Sequence, residues 1–436
     1  MKRGKIKALI LSTLLCTTLL TFSNIICNPM EVSAAENTLP VIIDNNVETE
    51  PVVVTSSGNW AKDRIWGNDR FETANLIADR FCQTNAQLGL DKVSQYGLTF
   101  KDAAESPVDT VILADAFNYP DALCASPLSK VLNAPILLTH SGNLTPSTAN
   151  QIKKMKIKHV MIVGGEGAVS NTVVNQLHDL GISDVARLGG VDRYETCLRI
   201  AEKVYELEDT VKSARYIEGN YVYMVPGNTW QDALAVSPAA AIETRPIILV
   251  PVNNEVNPTA QKQIKALLDS KGVDMHSNFL MGTEEECKPE VVKNMITSSF
   301  GESDYRAKVA TSGNKYVDSF DINRVLFDDV SYGDPDNIFM TRGDVFADSL
   351  TVAPLAAKMS SPIFYSAPCE KNTIAEEIQD SVDRCDDGYI DYDKTVEFMN
   401  NVVNKATYGC NKVTYVGGQA VVDDNSDRIL KGDWSH

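Results

Sequence analysis

YPDALCASPLSKVLNAPILL at 119–138, WQDALAVSPAAAIETRPIIL at 230–249 and FADSLTVAPLAAKMSSPIFY at 346–365 are three copies of one string. Each copy has an aromatic (Tyr119, Trp230, Phe346) two residues before an aspartate (Asp121, Asp232, Asp348). Proline follows six residues after the Asp (Pro127, Pro238, Pro354) and again fourteen after it (Pro135, Pro246, Pro362). Spacings that agree three times over such a length are not a chance pattern, and long-period self-similarity decides a fold before local propensity does. The Asp-to-Asp steps of 111 and 116 residues are of domain length. The copies therefore mark tandem modules rather than turns of a solenoid.

Outward from the string, each module carries the same landmarks in order. A DR[FY]-type segment comes first, RIWGNDRFETANLIADRF at 64–81 and RLGGVDRYETCLRIAEKVY at 187–205. Phe71, Ala74, Ile77, Ala78 and Phe81 fall at helical spacing, and the Gly and Asp before them suit a turn and a helix start. Next come short apolar strands, VILA at 111–114, YVYMV at 221–225 and IFM at 338–340. Each runs into a loop with a small residue five before the Asp (Ala116, Gly227, Gly343). Within the string, the Ala/Leu-rich stretch predicts a helix opened by the Asp, whose carboxylate would cap free N–H groups and complement the dipole. The Pro-Ile-Leu-Leu segments, Pro135, Ile136, Leu137 and Leu138, then Pro246, Ile247, Ile248 and Leu249, read as strands buried on both faces. A last strand ends in glycine: MIVGG at 161–165, FLMG at 279–282 and TYVGG at 414–418.

Alternating strands and helices at this spacing predict an α/β fold of three tandem Rossmann-like, flavodoxin-like doubly wound modules with parallel sheets. They occupy 61–183, 184–303 and 304–436, after a signal at 1–35 and a polar linker at 36–60. The signal reading rests on four basic residues before a long apolar run, with Val32-Ser33-Ala34-Ala35 as the cleavage region. An uncleaved membrane anchor is the competing reading, because the run is about long enough to span. No other stretch approaches that length, so the mature chain is expected to be extracytoplasmic, with no membrane partner once the signal is cleaved.

The net charge is −18, and −21 without residues 1–35. Such acidity disfavours nucleic acid as a partner, and an anionic ligand needs a local basic site. The seven cysteines beyond residue 35 are scattered and odd in number, which predicts reduced, buried thiols rather than a disulfide framework. The catalytic search is empty of H-E-x-x-H, G-x-S-x-G and C-x-x-C, and the five histidines are isolated. The expectation is a protein without catalysis, metal or cofactor. VGGEG at 163–167 reads as a tight turn needing positive φ rather than a nucleotide loop.

In this combination and order, DR[FY]xT, (D)AL…SP…P[IV][IL]L and [IV]VGG resemble the clostridial cell-wall-binding repeat type 2. The resemblance covers essentially the whole chain beyond the linker. It implies three modules packed as a pseudo-threefold trimer of domains, anchoring surface-layer (S-layer) proteins non-covalently to an anionic secondary polymer of the peptidoglycan wall. It also implies a role for Pro-Ile-Leu-Leu in anchoring, other surface-layer proteins as further partners, and an additional variable domain, which is not seen in these 436 residues. Module three departs most. Asn314-Lys315-Tyr316 stands for Asp-Arg-Tyr, Asp318 for Thr196, and Phe364-Tyr365 for the closing Leu-Leu.

Candidate polymer contacts are Arg70, Arg193 and Lys315, as guanidinium or ammonium partners of phosphate or carboxylate. The polar loops after the Pro-Ile-Leu-Leu strands add Thr139, His140 and Asn143, then Asn253 and Asn254. The competing reading of the arginines is structural, tying a helix start to a neighbouring loop. Asp121, Asp232 and Asp348 read as scaffold. Two functions stay open: a secreted wall anchor, and an adhesin or interaction platform, or the anchoring part of a longer adhesin or wall hydrolase.

Overall fold

In the first module the chain runs β1 (Ala61–Ile65), α1 (Arg70–Phe81), α2 (Asn85–Leu88), β2 (Thr110–Asp115), a 3₁₀ turn (Pro120–Ala122) and α3 (Ala125–Leu132). It continues through β3 (Ile136–Thr139), α4 (Pro146–Met155), β4 (His159–Val163) and α5 (Asn171–Asp179). The second module follows as β5 (Asp184–Leu188), α6 (Arg193–Leu207), β6 (Tyr223–Pro226), α7 (Gln231–Glu243), β7 (Ile247–Val250), α8 (Pro258–Ser270) and β8 (Phe279–Met281). The third comprises β9 (Ala307–Val309), α9 (Lys315–Arg324), β10 (Asn337–Arg342), α10 (Phe346–Lys358), β11 (Ile363–Ser366) and β12 (Lys412–Val416). This computed structural model describes residues 61–90, 100, 102–208, 220–252, 257–273, 279–282, 286–288, 291–292, 294–296, 307–309, 315–324, 337–366 and 412–418. The signal and linker assignments, and Asn253 and Asn254, lie outside them.

Three parallel four-stranded sheets result, ordered β3-β2-β4-β5, β7-β6-β8-β9 and β11-β10-β12-β1. Each has the flavodoxin-like order expected from the sequence. The fourth strand of every sheet comes from the start of the next sequence repeat. β5 pairs with β4 through Val163↔Leu188, β9 with β8, and β1 closes the cycle by pairing with β12 through Ile65↔Val416. Sequence repeat and folded sheet are thus offset by one strand, and the boundaries at 184 and 304 fall just before strands that complete the preceding sheet. The three repeat helices α3, α7 and α10 meet at the centre, giving the pseudo-threefold packing. Ser126 Oγ of α3 donates to the Ser237 carbonyl of α7 at 3.0 Å there.

The aromatics that precede the repeated Asp hold the modules together. Tyr119 lies 5.3 Å from Phe346, Trp230 meets Tyr365 edge-on at 5.7 Å, and the Tyr365 hydroxyl donates to the Gln231 carbonyl at 2.6 Å. Aromatic pairs of this geometry add to the apolar burial that drives docking.

The Pro-Ile-Leu-Leu strands are buried, as their composition predicts, but each lies at the edge of its ladder. An exposed edge would leave backbone groups unpaired. The DR[FY] helix entering from the preceding sheet covers it: α1 packs on β3, α6 on β7 and α9 on β11. Side chains of those helices satisfy the edge. Cys197 Sγ donates to the Ile247 carbonyl at 3.2 Å and accepts from Leu249 N at 3.4 Å. In module three Ser319 Oγ accepts from Tyr365 N and Asn323 Nδ2 donates to the Ile363 carbonyl. Among the described cysteines, Cys124, Cys197 and Cys287 are buried free thiols and Cys82 is half-buried.

Candidate functional site: the strand-end junctions

Strand order reverses between β2 and β4, between β6 and β8, and between β10 and β12. A ligand of an open α/β sheet sits outside the carboxyl ends at that point. In every sheet the glycine there has the left-handed backbone predicted for the turn: Gly164 at φ 111°, Gly282 at 109° and Gly417 at 113°. Space is tight as well, since a Cβ on Gly164 would lie 2.8 Å from Ala168 Cβ and 3.1 Å from Asp121 Oδ2.

Around Gly164 the chain gathers residues from two repeats. Arg187, on the borrowed strand β5, donates through Nη1 to the Gly164 and Gly165 carbonyls at 2.9 and 3.1 Å. Its Nη2 is buried and makes no hydrogen bond. Arg193, first residue of α6, donates to the Gly227 carbonyl at 2.5 Å. Asp192 caps the same helix by accepting from Glu195 N at 2.9 Å, while Gly190 N donates to Thr196 Oγ1 at 3.1 Å. The module-one segment repeats this. Asp69 accepts from Glu72 N, Gly67 N donates to Thr73 Oγ1, and Arg70 donates to the Ala116 carbonyl at 2.6 Å. Arg64 matches Arg187, donating to the Gly417 carbonyl at 2.6 Å.

Arg70 and Arg193 therefore brace a neighbouring loop, the structural alternative, each by one nitrogen to a backbone carbonyl. Lys315 opens α9 at the corresponding position and helps hold the Asp344 carboxyl below its usual range, behind the bond that Asp344 accepts from Arg342. Strand register also puts Lys308 opposite Leu280, where Arg187 faces Ile162. In sequence, both arginines of the pattern are lysines at the Gly282 junction.

The repeated aspartates do not cap their helices. Neither α7, α10 nor the 3₁₀ turn has a side-chain capping bond. The carboxylates instead face the junction, and burial raises each pKa. Asp121 is raised by burial, against Thr196 and Arg193, which pull it down. Asp348 is pushed up to about 6, against Arg70 and Arg342. Asp232 reaches about 7 because Glu286 adds repulsion to burial.

The predicted anchoring strands offer nothing to solvent: Ile136, Leu137, Leu138, Ile248 and Leu249 are all fully buried, with Ile247 and both prolines close behind. Thr139 is likewise buried, its hydroxyl donating to the Asn143 carbonyl and accepting from Thr145 N, both at 3.1 Å. His140 and Asn143 are exposed on that loop. Sequence reasoning singled out neither Arg187 nor Phe117, which is 50% exposed beside His140. The recurrence of Arg64 and Arg187 six residues before Arg70 and Arg193 was the available signal for the first. No helix among the described residues is long and apolar enough to cross a membrane.

The chain matches the family model described as cell wall binding domain 2 at residues 64–174, 187–292 and 301–427. It is 27% identical over 328 residues to the amidase enhancer of Bacillus subtilis, covering 74% of this chain and 38% of that protein. It is 36% identical over 143 residues to N-acetylmuramoyl-L-alanine amidase LytC of the same organism, covering 33% and 26%. The chain thus spans well under half the length of either relative. Two solved structures share its fold. Cwp6 from Clostridium difficile gives a TM-score of 0.62 at 20% identity over 92% of this chain and 52% of that one. Cwp8 gives 0.58 at 20% identity over 86% and 52%.

Proposed function

Because this chain belongs to the cell wall binding domain 2 family, we propose that it is a secreted, non-catalytic anchor holding non-covalently to an anionic secondary polymer of the Gram-positive wall. In this reading it sits in the surface layer alongside other surface-layer proteins. One observation supports an anionic ligand above others. Arg187 brings a buried guanidinium nitrogen without a partner to the switch point of a sheet, in a chain of net charge −18. Such a nitrogen gains most from a charged acceptor. Arg193 supplies a guanidinium at the same junction, Arg64 supplies one at the Gly417 junction, and Lys315 supplies an ammonium at the Gly282 junction.

The Pro-Ile-Leu-Leu strands contribute by welding modules together, since each is covered by a helix arriving from the previous sheet. Sedimentation of the purified chain with deproteinised wall sacculi tests the anchor. Binding is expected, and it is expected to disappear after chemical removal of the secondary polymer. Binding that survives that removal overturns the ligand assignment.

A second reading makes the modules the anchoring part of a larger wall hydrolase or adhesin. What supports it is that the matched region is 26% of the amidase relative. Release of muropeptide or sugar by a longer form of the protein would favour it over a pure anchor.

A further inference from the structure

We propose that Phe117 and His140 form an aromatic platform that stacks on a sugar ring of the anionic polymer, so that module one grips the glycan in a way the other two do not. The proposal rests on the wall-anchor reading and names the chemistry of one contact within it.

The two rings sit at the carboxyl ends of paired strands, just beyond Asp115 of β2 and its register partner Thr139 of β3. Their centroids are 5.1 Å apart at an interplanar angle of 24°. Buried Phe71 of α1 supports both, edge-on to Phe117 at 6.1 Å and 4.9 Å from His140. The loops beneath are fixed in advance. Asp115, itself buried, accepts from Phe117 N at 3.0 Å and from Asn118 Nδ2 at 2.7 Å. On the other side His140 N donates to Thr145 Oγ1 at 3.2 Å. A rigid aromatic pair loses little entropy when a ligand settles on it.

Core completion does not account for Phe117. The position after the small residue is Asn228 in module two and Asp344 in module three, and His140 corresponds to Pro251 in module two. The same turn is thus built twice without an aromatic, while Phe117 stays 50% exposed.

The surroundings select the occupant. Arg70 lies over the Phe117 ring with Cζ 4.5 Å from its centroid. A sugar would therefore meet the exposed side of the Phe117–His140 stack with the guanidinium beside it, and exposed Asn118 and Asn143 stand on the same two loops. Sugar C–H groups carry partial positive charge that suits the negative face of an aromatic ring. An acidic substituent on the same sugar would meet the guanidinium, a complementarity that a neutral apolar surface of a protein lacks. Two rings also make far less area than a protein docking patch.

The test uses the full chain with Phe117→Asn, the residue module two already carries there, and with His140→Ala. Each is titrated against deproteinised sacculi and against the polymer released from them. We expect affinity to fall about tenfold for Phe117→Asn with an unchanged melting temperature. The same factor should persist when sodium chloride is raised, since stacking is not screened as charge pairing is. Equal affinity of wild type and both variants overturns the platform while leaving the anchor intact. A loss confined to binding of wall proteins, with sacculus binding unchanged, also overturns it by assigning the patch to a protein partner. If wild type does not sediment with sacculi at all, the anchor reading fails and takes the platform with it.

Discussion

The junction at Gly164 and the junction at Gly282 share a backbone and differ in charge. Both have glycine near φ 110°, a strand borrowed from the next repeat and a repeated Asp facing the turn. At the first, Arg187 and Arg193 surround Asp121, and Thr196 pulls its pKa down against burial. At the second, Lys308 and Lys315 replace the arginines in sequence, Asp318 replaces Thr196, and burial, with repulsion from Glu286, raises the Asp232 pKa to about 7. The Asp is kept although its neighbouring arginines are not. What is kept across repeats is the shape of the strand end, and what varies is the equipment for meeting an anion.

The largest effect should be common to both junctions. Gly164→Ala and Gly282→Ala each force an L-residue into left-handed backbone. The first also meets Ala168 Cβ at 2.8 Å and the second Pro226 Cγ at 2.5 Å. We expect each to cost about 3 kcal/mol, read from guanidinium unfolding midpoints. A much smaller loss at Gly282 would break the shared-backbone half of the comparison.

The arginine difference comes next. Arg193→Ala removes the bond to the Gly227 carbonyl and leaves Asp121 with less compensating charge, an expected loss of about 1–2 kcal/mol at neutral pH. Lys315→Ala should cost less than about 0.5 kcal/mol by the same measurement. Equal losses would show that the lysine does the arginine's work.

The smallest effect is one of pH. The Asp232 pKa is raised to about 7 on folding, so the folded chain holds that proton where the unfolded chain releases it. Its stabilisation is full below the unfolded value near 4 and is lost as pH rises through about 7. Asp232→Asn should therefore flatten the fall of melting temperature between about pH 5 and about pH 8, with a gain of a few degrees at the upper end. Asp121→Asn should give a smaller gain, because Arg193 and Thr196 offset part of the burial that raises its pKa. A gain of equal size at Asp121 would erase the distinction.

Much of this architecture was legible in the chain. Among the described residues, strand and helix positions, the positive-φ glycine turn and the buried Ile-Leu strands follow from local pattern, since periodicity and glycine placement act within a few residues. The Asp read as a helix cap was not legible in the same way. A carboxylate in a first helical turn has two destinations, the helix's own N–H groups or whatever packs opposite. Here Arg193 and Thr196, more than seventy residues on, take the second role for Asp121. Phe117 escaped notice for a related reason, because one phenylalanine in a loop has no period.

Three parallel α/β modules in tandem, their kinship and the order of their elements can be read from the chain alone, because repeats and apolar periodicity are written in neighbouring residues. Only the tertiary structure decided that each sheet takes its last strand from the next repeat and that the Ile-Leu strand is an edge sealed by a helix from the preceding sheet. It alone placed Arg187 at Gly164 and Phe117 against His140. Those facts depend on where the three-module cycle closes, β1 against β12 across some 350 residues. No local propensity encodes a closure of that length, and it is fixed by burying the three repeat helices together.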